Sequence, residues 1–360
     1  MRSGISALRR IALSAGATAL VMWGLLYAPT PYAVYEPGIA VPVEPMIEYA
    51  SGSRGGQGEG ELLLTAVKLT LPNMWGVLKA AVDGDRDIYL KNDVFGQYSQ
   101  QQYSERLTVI MEGSQQDALE AAYRYLNVPY RVETASIVVT DVILIADHPA
   151  GKLKAGDRLI GIQDGERFQS VEHAAKLVAA VLGDVRSGQG QSVILEADRG
   201  GETLEIELRD AEAMAGDTGG EAKRLAELLG VKGFTELRAV QAEQEEQSLR
   251  ISAREIGGPS AGLVFALAAI DLLTEGDLTG GGRIAATGTI DPSGRIGAIG
   301  GIKQKVVSTD AEGASLFLVP KANEGAAAAK ARSMGSDMQI VGVETLQEAM
   351  NAVASFTKRL

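Results

Sequence analysis

Between residues 11 and 28 the chain is uncharged and carries Leu13, Leu20, Val21, Trp23, Leu25 and Leu26. That run is near the lower length for crossing a membrane, since roughly 17 to 25 apolar residues span the hydrocarbon core. Arg2, Arg9 and Arg10 precede it, so the bias of basic residues toward the cytoplasm places 1–10 inside as a tail and the rest of the chain outside. A cleaved signal peptide is the alternative, but Pro31 and Tyr32 crowd the only small-residue candidate site near Thr30 and Ala33. A buried core helix is a third reading. Residues 29–60, with Pro29, Pro31, Pro37, Pro42 and Pro45 followed by glycines, read as an extended linker.

From Glu61 to Leu71 apolar and polar positions partly alternate, which predicts strands, and a helix is expected near 73–82. A second helix is expected to open at Ser114 as N-cap and to run through Ala122 with apolar residues three and four apart. The 61–126 segment is therefore α/β. Residues 137–208 read strand, turn, strand, helix, strand, strand, and 209–248 reads as a connector with a short helix from Glu221. Leu249, Ile251 and Ala253 alternate with polar neighbours, and 263–273 is almost wholly apolar, so a strand leads through a glycine-rich turn into a buried helix. The whole is an α+β chain.

Hydrophobic residues make up 46% and charged residues 22%, which supports packed cores. The net charge of -12 opposes binding to phosphate backbones and excludes nucleic acid as the main partner. With no cysteine, thiolate metal sites and cysteine nucleophiles are absent, and no metal or cofactor is expected. The two histidines, His148 and His173, lie far from the glycine-rich C-terminal region, which argues against a Ser-His-Asp triad there. No Gly-x-x-x-x-Gly-Lys-Ser/Thr occurs, so no P-loop and no use of ATP is expected.

Ser260 sits in Gly258-Pro259-Ser260-Ala261-Gly262 at the strand-to-helix turn. Amides of the first helical turn are natural donors to an oxyanion. A serine there is also a common N-cap. Downstream of it stand Thr287-Gly288, then Ile299-Gly300-Gly301 with Lys303 and Lys305, then 316–320 ending in proline. Together these motifs resemble the Lon protease domain over 249–360. The resemblance implies Ser260 as nucleophile, Lys305 as general base and Thr287 as a supporting hydroxyl, with Gly258, Pro259, Ala261 and Gly262 shaping the turn. Many Lon enzymes carry an acidic residue where this chain has Gly257.

Pro149-Ala150, Leu153, Gly156-Asp157 and Asp164-Gly165 resemble bacterial PDZ domains, which bind an extended peptide as an added strand. No recognisable carboxylate-binding loop precedes Ile137. With the N-terminal run, the chain is most similar to membrane-anchored, PDZ-containing Lon-like proteases. An ATP-independent serine endopeptidase outside the cytoplasm, acting on peptides or membrane-associated proteins, is thereby implied. Such domains often form homo-oligomers. The 61–126 segment either completes the protease domain, making 137–208 an insertion, or forms an independent domain. The competing function is an inactive scaffold that keeps the fold and presents the PDZ-like groove.

Overall fold

The computed structural model describes residues 2–49, 60–96, 98–142, 153–163, 165–186, 193–208, 220–253 and 256–359. The N-terminal part contains α1 (Arg2–Tyr27), β1 (Tyr32–Pro42), β2 (Ile47–Tyr49), β3 (Glu61–Thr70), α2 (Met74–Val82), β4 (Asp87–Leu90), α3 (Lys91–Phe95) and α4 (Gln100–Leu126). The middle contains β5 (Tyr130–Val142), β6 (Arg158–Ile162), α5 (Val171–Arg186), β7 (Val193–Arg199), β8 (Glu202–Leu208), α6 (Glu221–Leu228) and β9 (Val231–Ala242). The C-terminal part contains β10 (Leu249–Ile251), α7 (Gly262–Leu273), β11 (Arg283–Ala286), β12 (Thr289–Ile290), β13 (Ile296–Gly297), α8 (Ile302–Ala311), β14 (Leu316–Pro320), α9 (Lys321–Met334), β15 (Gln339–Val343) and α10 (Leu346–Thr357).

A mixed six-stranded sheet runs in the order β15-β14-β11-β3-β1-β4, so it draws strands from both ends of the chain. β11 pairs in parallel with both β3 and β14, while β1 runs antiparallel to β3. Helices cover both faces, which is why the central strands are continuous apolar runs rather than clean alternations. Successive residues still divide by period two. Leu62, Leu64, Ile284, Ala286, Leu316 and Leu318 enter one core with residues of α4, α7 and α10. Leu63, Ala285, Phe317 and Val319 enter the other, with residues of α8 and α9.

Two expectations need correction. Residues 29–60 are not a linker throughout, because β1 belongs to the large sheet and β2 pairs with β10. β1 tolerates its prolines because β4 pairs with it over 32–35 alone, leaving 36–42 free on that side, and a bulge falls between Pro37 and Ala40. The 209–248 connector likewise contains β9, which pairs with β5 along nearly its whole length and completes a five-stranded sheet, β8-β7-β6-β5-β9. One of the three register shifts between them puts an extra residue on β9, and its buried positions, Val231, Leu237, Val240 and Ala242, do not hold to a single period-two face.

The elements within 137–208 follow the expected order, and β5 begins earlier, at Tyr130. α5 and α6 bury Ala174, Val178, Leu182 and Leu225 against this sheet in a separate core. Gly156 takes φ +95° in the turn before β6, and buried Asp157 accepts hydrogen bonds from the Lys154 amide and the Arg199 guanidinium. His148 lies outside the described residues, as does Asp164.

The N-terminal helix is longer than 11–28 and includes Arg9 and Arg10. Among the described residues no helix is long and apolar enough to cross a membrane. Leu13, Leu20, Val21, Trp23 and Tyr27 are all exposed.

Ser114 does not begin a helix. The N-cap of α4 is Ser99, which forms a reciprocal capping box with Gln102, and Ser114 lies buried in mid-helix. α4 joins the two sheets. Glu120, 3% exposed, accepts hydrogen bonds from Arg124 at 2.9 Å, Tyr130 at 3.1 Å and Arg238 of β9 at 2.6 Å. Glu112 pairs with Arg158 of β6. Removing the Glu120 carboxylate takes one acceptor each from Arg124, Tyr130 and Arg238, of which Arg238 keeps Asp117 and Arg124 keeps the Tyr130 hydroxyl, so Glu120→Ala should destabilise the protein by about 2 kcal/mol. Urea denaturation of the purified variant measures this, and an unchanged midpoint would refute the assignment of this joint.

Candidate active site

β10 delivers the chain to a 3-10 turn, Pro259–Ala261, that leads directly into α7. Gly258 enters this turn with φ +89°, a conformation L side chains rarely adopt. Three long-range contacts hold the turn. The Gly258 amide donates to Leu107 O of α4 at 2.9 Å, the Ser114 hydroxyl to Pro259 O at 3.1 Å, and the Gly288 amide to Ser260 O at 2.9 Å. Gly262 packs so closely that a β-carbon there would lie 2.9 Å from both Ser114 and Ile290. A side chain at Gly257 would meet Leu107 Cβ at 2.9 Å, so an acidic residue at that position requires a different placement of α4.

Lys305 lies on α8, 1% exposed, and its ammonium nitrogen sits 2.9 Å from Ser260 Oγ. It also reaches Thr65 O at 2.7 Å and Thr287 Oγ1 at 3.0 Å. The hydroxyl proton of Thr287 is committed elsewhere, to Ser260 O at 3.0 Å. Thr287 Oγ1 must therefore accept from the lysine, and Thr65 O can do nothing else. A neutral amine has two N–H bonds and one lone pair. Thr65 Oγ1, at 3.3 Å, is a further oxygen within reach, and with its N–H bonds given to Thr65 O and Thr287 Oγ1 a neutral amine can turn its lone pair to the Ser260 hydroxyl. Burial pushes the Lys305 amine down from 10.5 to about 7, because desolvation penalises the charged form.

Lys303, two residues away on α8, points elsewhere. Its side chain is half exposed, 3.8 Å from Asp87. Residues two apart on a helix diverge by about 200°, so burying Lys305 turns Lys303 to solvent. Gly301 opens α8 with φ +68°, and a β-carbon there would strike Val67 of β3 at 2.6 Å.

Ser260 is partly exposed and opens onto two hollows. One, of about 350 Å³, is lined by Tyr35, Val67, Leu107 and Gly301. The other, of about 510 Å³, is lined by Pro37, Ile39, Val67, Lys68 and Ile256. Between them runs β3, whose pairing with β11 ends at Leu64; Thr65 O is then taken by Lys305, and among the described residues 66–68 have no strand beside them on that side. The expected use of the first helical amides is corrected: Gly262 donates to Pro259 O, and Leu263 donates to Gly288 O at 3.1 Å. Among the described residues no group of three or more His, Cys, Asp or Glu side chains is placed to hold a metal. His173 lies on α5, in the other sheet, and accepts from the Gln169 amide. Thr65 and Ser114 carried no motif in the sequence; they come to the site through β3 and α4.

Residues 252–355 match the C-terminal proteolytic domain of the Lon protease (S16) family. Over 93 residues the chain is 37% identical to the Lon protease of Clostridioides difficile (strain 630), covering 26% of this chain and 12% of that protein. Over 96 residues it is 33% identical to the peroxisomal Lon protease homolog 2 of Caenorhabditis elegans, 27% of this chain and 12% of that one. A longer likeness, 26% identical over 167 residues, joins it to the Lon protease of Lachnoclostridium phytofermentans, with 42% and 20% covered. The chain thus spans a small fraction of the length of these relatives. The likeness implies a serine-protease domain in 252–355.

The buried amine carries a stability cost with a defined sign. Its folded pKa lies below its unfolded value, so between about 7 and 10.5 the unfolded chain binds more protons, and stability falls as pH falls through that window. Lys305→Met removes this dependence. Its advantage over the parent should grow by about 1.4 kcal/mol per pH unit from pH 10 to pH 7 and then level off. Chemical denaturation across that range reads the difference, and parallel stability curves would show the amine is not desolvated.

Proposed function

We propose that the chain is a serine endopeptidase working through a Ser260–Lys305 dyad. The observation that carries this reading is the buried amine of Lys305, 2.9 Å from Ser260 Oγ, with Thr65 O and Thr287 Oγ1 placed to accept its N–H bonds. Lys305 takes the Ser260 proton as the oxygen attacks a peptide carbonyl, then returns a proton to the departing amine. Water deprotonated by the same lysine releases the acyl group. Thr287 orients the lysine and steadies Ser260 O. Gly258, Pro259, Ala261 and Gly262 shape the turn that presents Ser260.

The substrate enters extended along the edge of 66–68, with side chains in the two hollows. Cleavage without ATP, of peptides or unstructured segments, is in keeping with a sequence in which no P-loop motif occurs. The five-stranded module, with the element order of a PDZ domain, captures such segments beside α5. Attachment to a membrane through α1, with the catalytic part outside the cytoplasm, is supported by the N-terminal arginines and the exposed apolar side chains between Leu13 and Tyr27.

Ser260→Ala and Lys305→Ala should each reduce peptide cleavage by at least a thousandfold with the fold retained, and Lys303→Ala should keep most activity. Thr287→Val should lose activity in part, about ten- to a hundredfold. Steady-state cleavage at equal folded concentration, checked by circular dichroism, compares them; an active Lys305→Ala enzyme removes the proposed base. Because the neutral amine is the working form, kcat/KM should rise with pH through an apparent pKa near 7. A rate independent of pH between 6 and 9 would contradict it.

A further inference from the structure

α2 is apolar on the wrong side. Its buried positions are small or medium, Val77 and Ala80, while its largest side chains face outward: Trp75 is 47% exposed, Leu78 47% and Val82 88%. At 100° per residue Trp75, Leu78, Lys79 and Val82 share one arc of about 100°. Scattered exposed apolar residues are ordinary. Here they form one stripe, the helix carries no carboxylate, and its one cation, Lys79, holds its ammonium 5.6 Å from the Trp75 ring. An indole, aliphatic side chains and a long-stemmed lysine are the composition of a helix lying at a lipid–water boundary.

We propose that this face of α2 lies in the interfacial layer of a membrane, a proposal that rests on membrane attachment through α1. One residue couples the two helices. Asn73 caps α2, with Oδ1 accepting from the Gly76 amide at 2.9 Å, and its Nδ2 donates to Leu26 O in the last turn of α1 at 2.7 Å. If α1 enters lipid, the first turn of α2 is held at the level where α1 leaves it, beside exposed Trp23 and Tyr27. With a net charge of -12, attraction to anionic headgroups is not the driving force, so apolar and indole contacts carry the seat and a zwitterionic surface suffices.

The consequence reaches the dyad. The loop after α2 accepts from Gln304 Nε2 through Asp85 O at 3.2 Å and Asp87 Oδ2 at 3.0 Å, and Gln304 adjoins Lys305. Seating α2 in the interface thus fixes the height of Ser260 above the bilayer and favours substrates tethered close to it.

The two tryptophans of the chain, Trp23 and Trp75, make the test direct. The full-length chain is reconstituted in phosphatidylcholine vesicles as Trp23→Phe, leaving Trp75 as reporter, and as Trp75→Phe, leaving Trp23. Vesicles with lipids brominated near the headgroup or deep in the chains measure depth by quenching, and aqueous acrylamide measures exposure. Trp75 should be quenched at least twofold more by shallow than by deep bromines and be protected from acrylamide. If Trp23 is quenched by brominated lipid while Trp75 remains open to acrylamide, the seat of α2 is refuted and the attachment through α1 stands. Protection of Trp75 from acrylamide without bromine quenching means protein, such as a second copy, covers the stripe, and refutes it too. If neither tryptophan responds to brominated lipid, attachment fails and the proposal falls with it.

Discussion

The structure turns on removing one amine from water. A lysine at its ordinary pKa is an ion, and burying that ion without a partner carboxylate is costly enough that the group gives up its proton instead. Among the described residues no acidic side chain hydrogen-bonds Lys305; its partners there are a carbonyl and three hydroxyl oxygens. An adjacent carboxylate would have kept the amine charged and useless as a base. The neutral environment is what fits it for the proposed role of base near pH 7, and the apolar packing of Ile302 and Val306 on the same helix supplies the dryness.

Four segments remote in sequence meet at that nitrogen: β3 through Thr65, the Pro259–Ala261 turn through Ser260, the end of β11 through Thr287, and α8 through Lys305. Three of them lie in the stretch that matches the Lon proteolytic domain, but Thr65 does not. Its carbonyl arrives because β3 pairs in parallel with β11 up to Leu64 and then continues alone. The end of that pairing serves twice. It frees Thr65 O to face the lysine, and it leaves the edge proposed for an extended substrate.

The C-terminal part was legible in the sequence because its signals are local. Gly258 and Gly301 stand where φ is positive, the 263–273 run is almost wholly apolar in a buried helix, and the spacing of Lys303 and Lys305 lets only one of them face inward. What stayed hidden depends on pairing partners. β1 was masked by prolines that the sequence reads as breaks, harmless at a half-free edge with a bulge. β9 was masked because its buried positions do not hold to a single period-two face. Ser114 looked like a cap because serine near a polar-to-apolar change usually is one; its hydroxyl instead bonds a carbonyl 145 residues away. No window of sequence contains that information.

α4 is where these separate facts become one device. It is 27 residues long, about 40 Å at the usual rise, and successive parts of it grip different things. Leu107 O holds the Gly258 amide and Ser114 holds Pro259 O, so its first half sets the turn that carries Ser260. Gln116 Oε1 accepts from the Val240 amide and Glu120 from Arg238, so its second half is bound to β9 of the five-stranded sheet. A helix backbone is stiff over these few turns, and buried interfaces shift between discrete packings rather than flexing continuously. The turn that carries Ser260, and with it the 2.9 Å separation of Ser260 Oγ and Lys305 Nζ on which the proposed proton transfer depends, is thus fastened through one helix to β9.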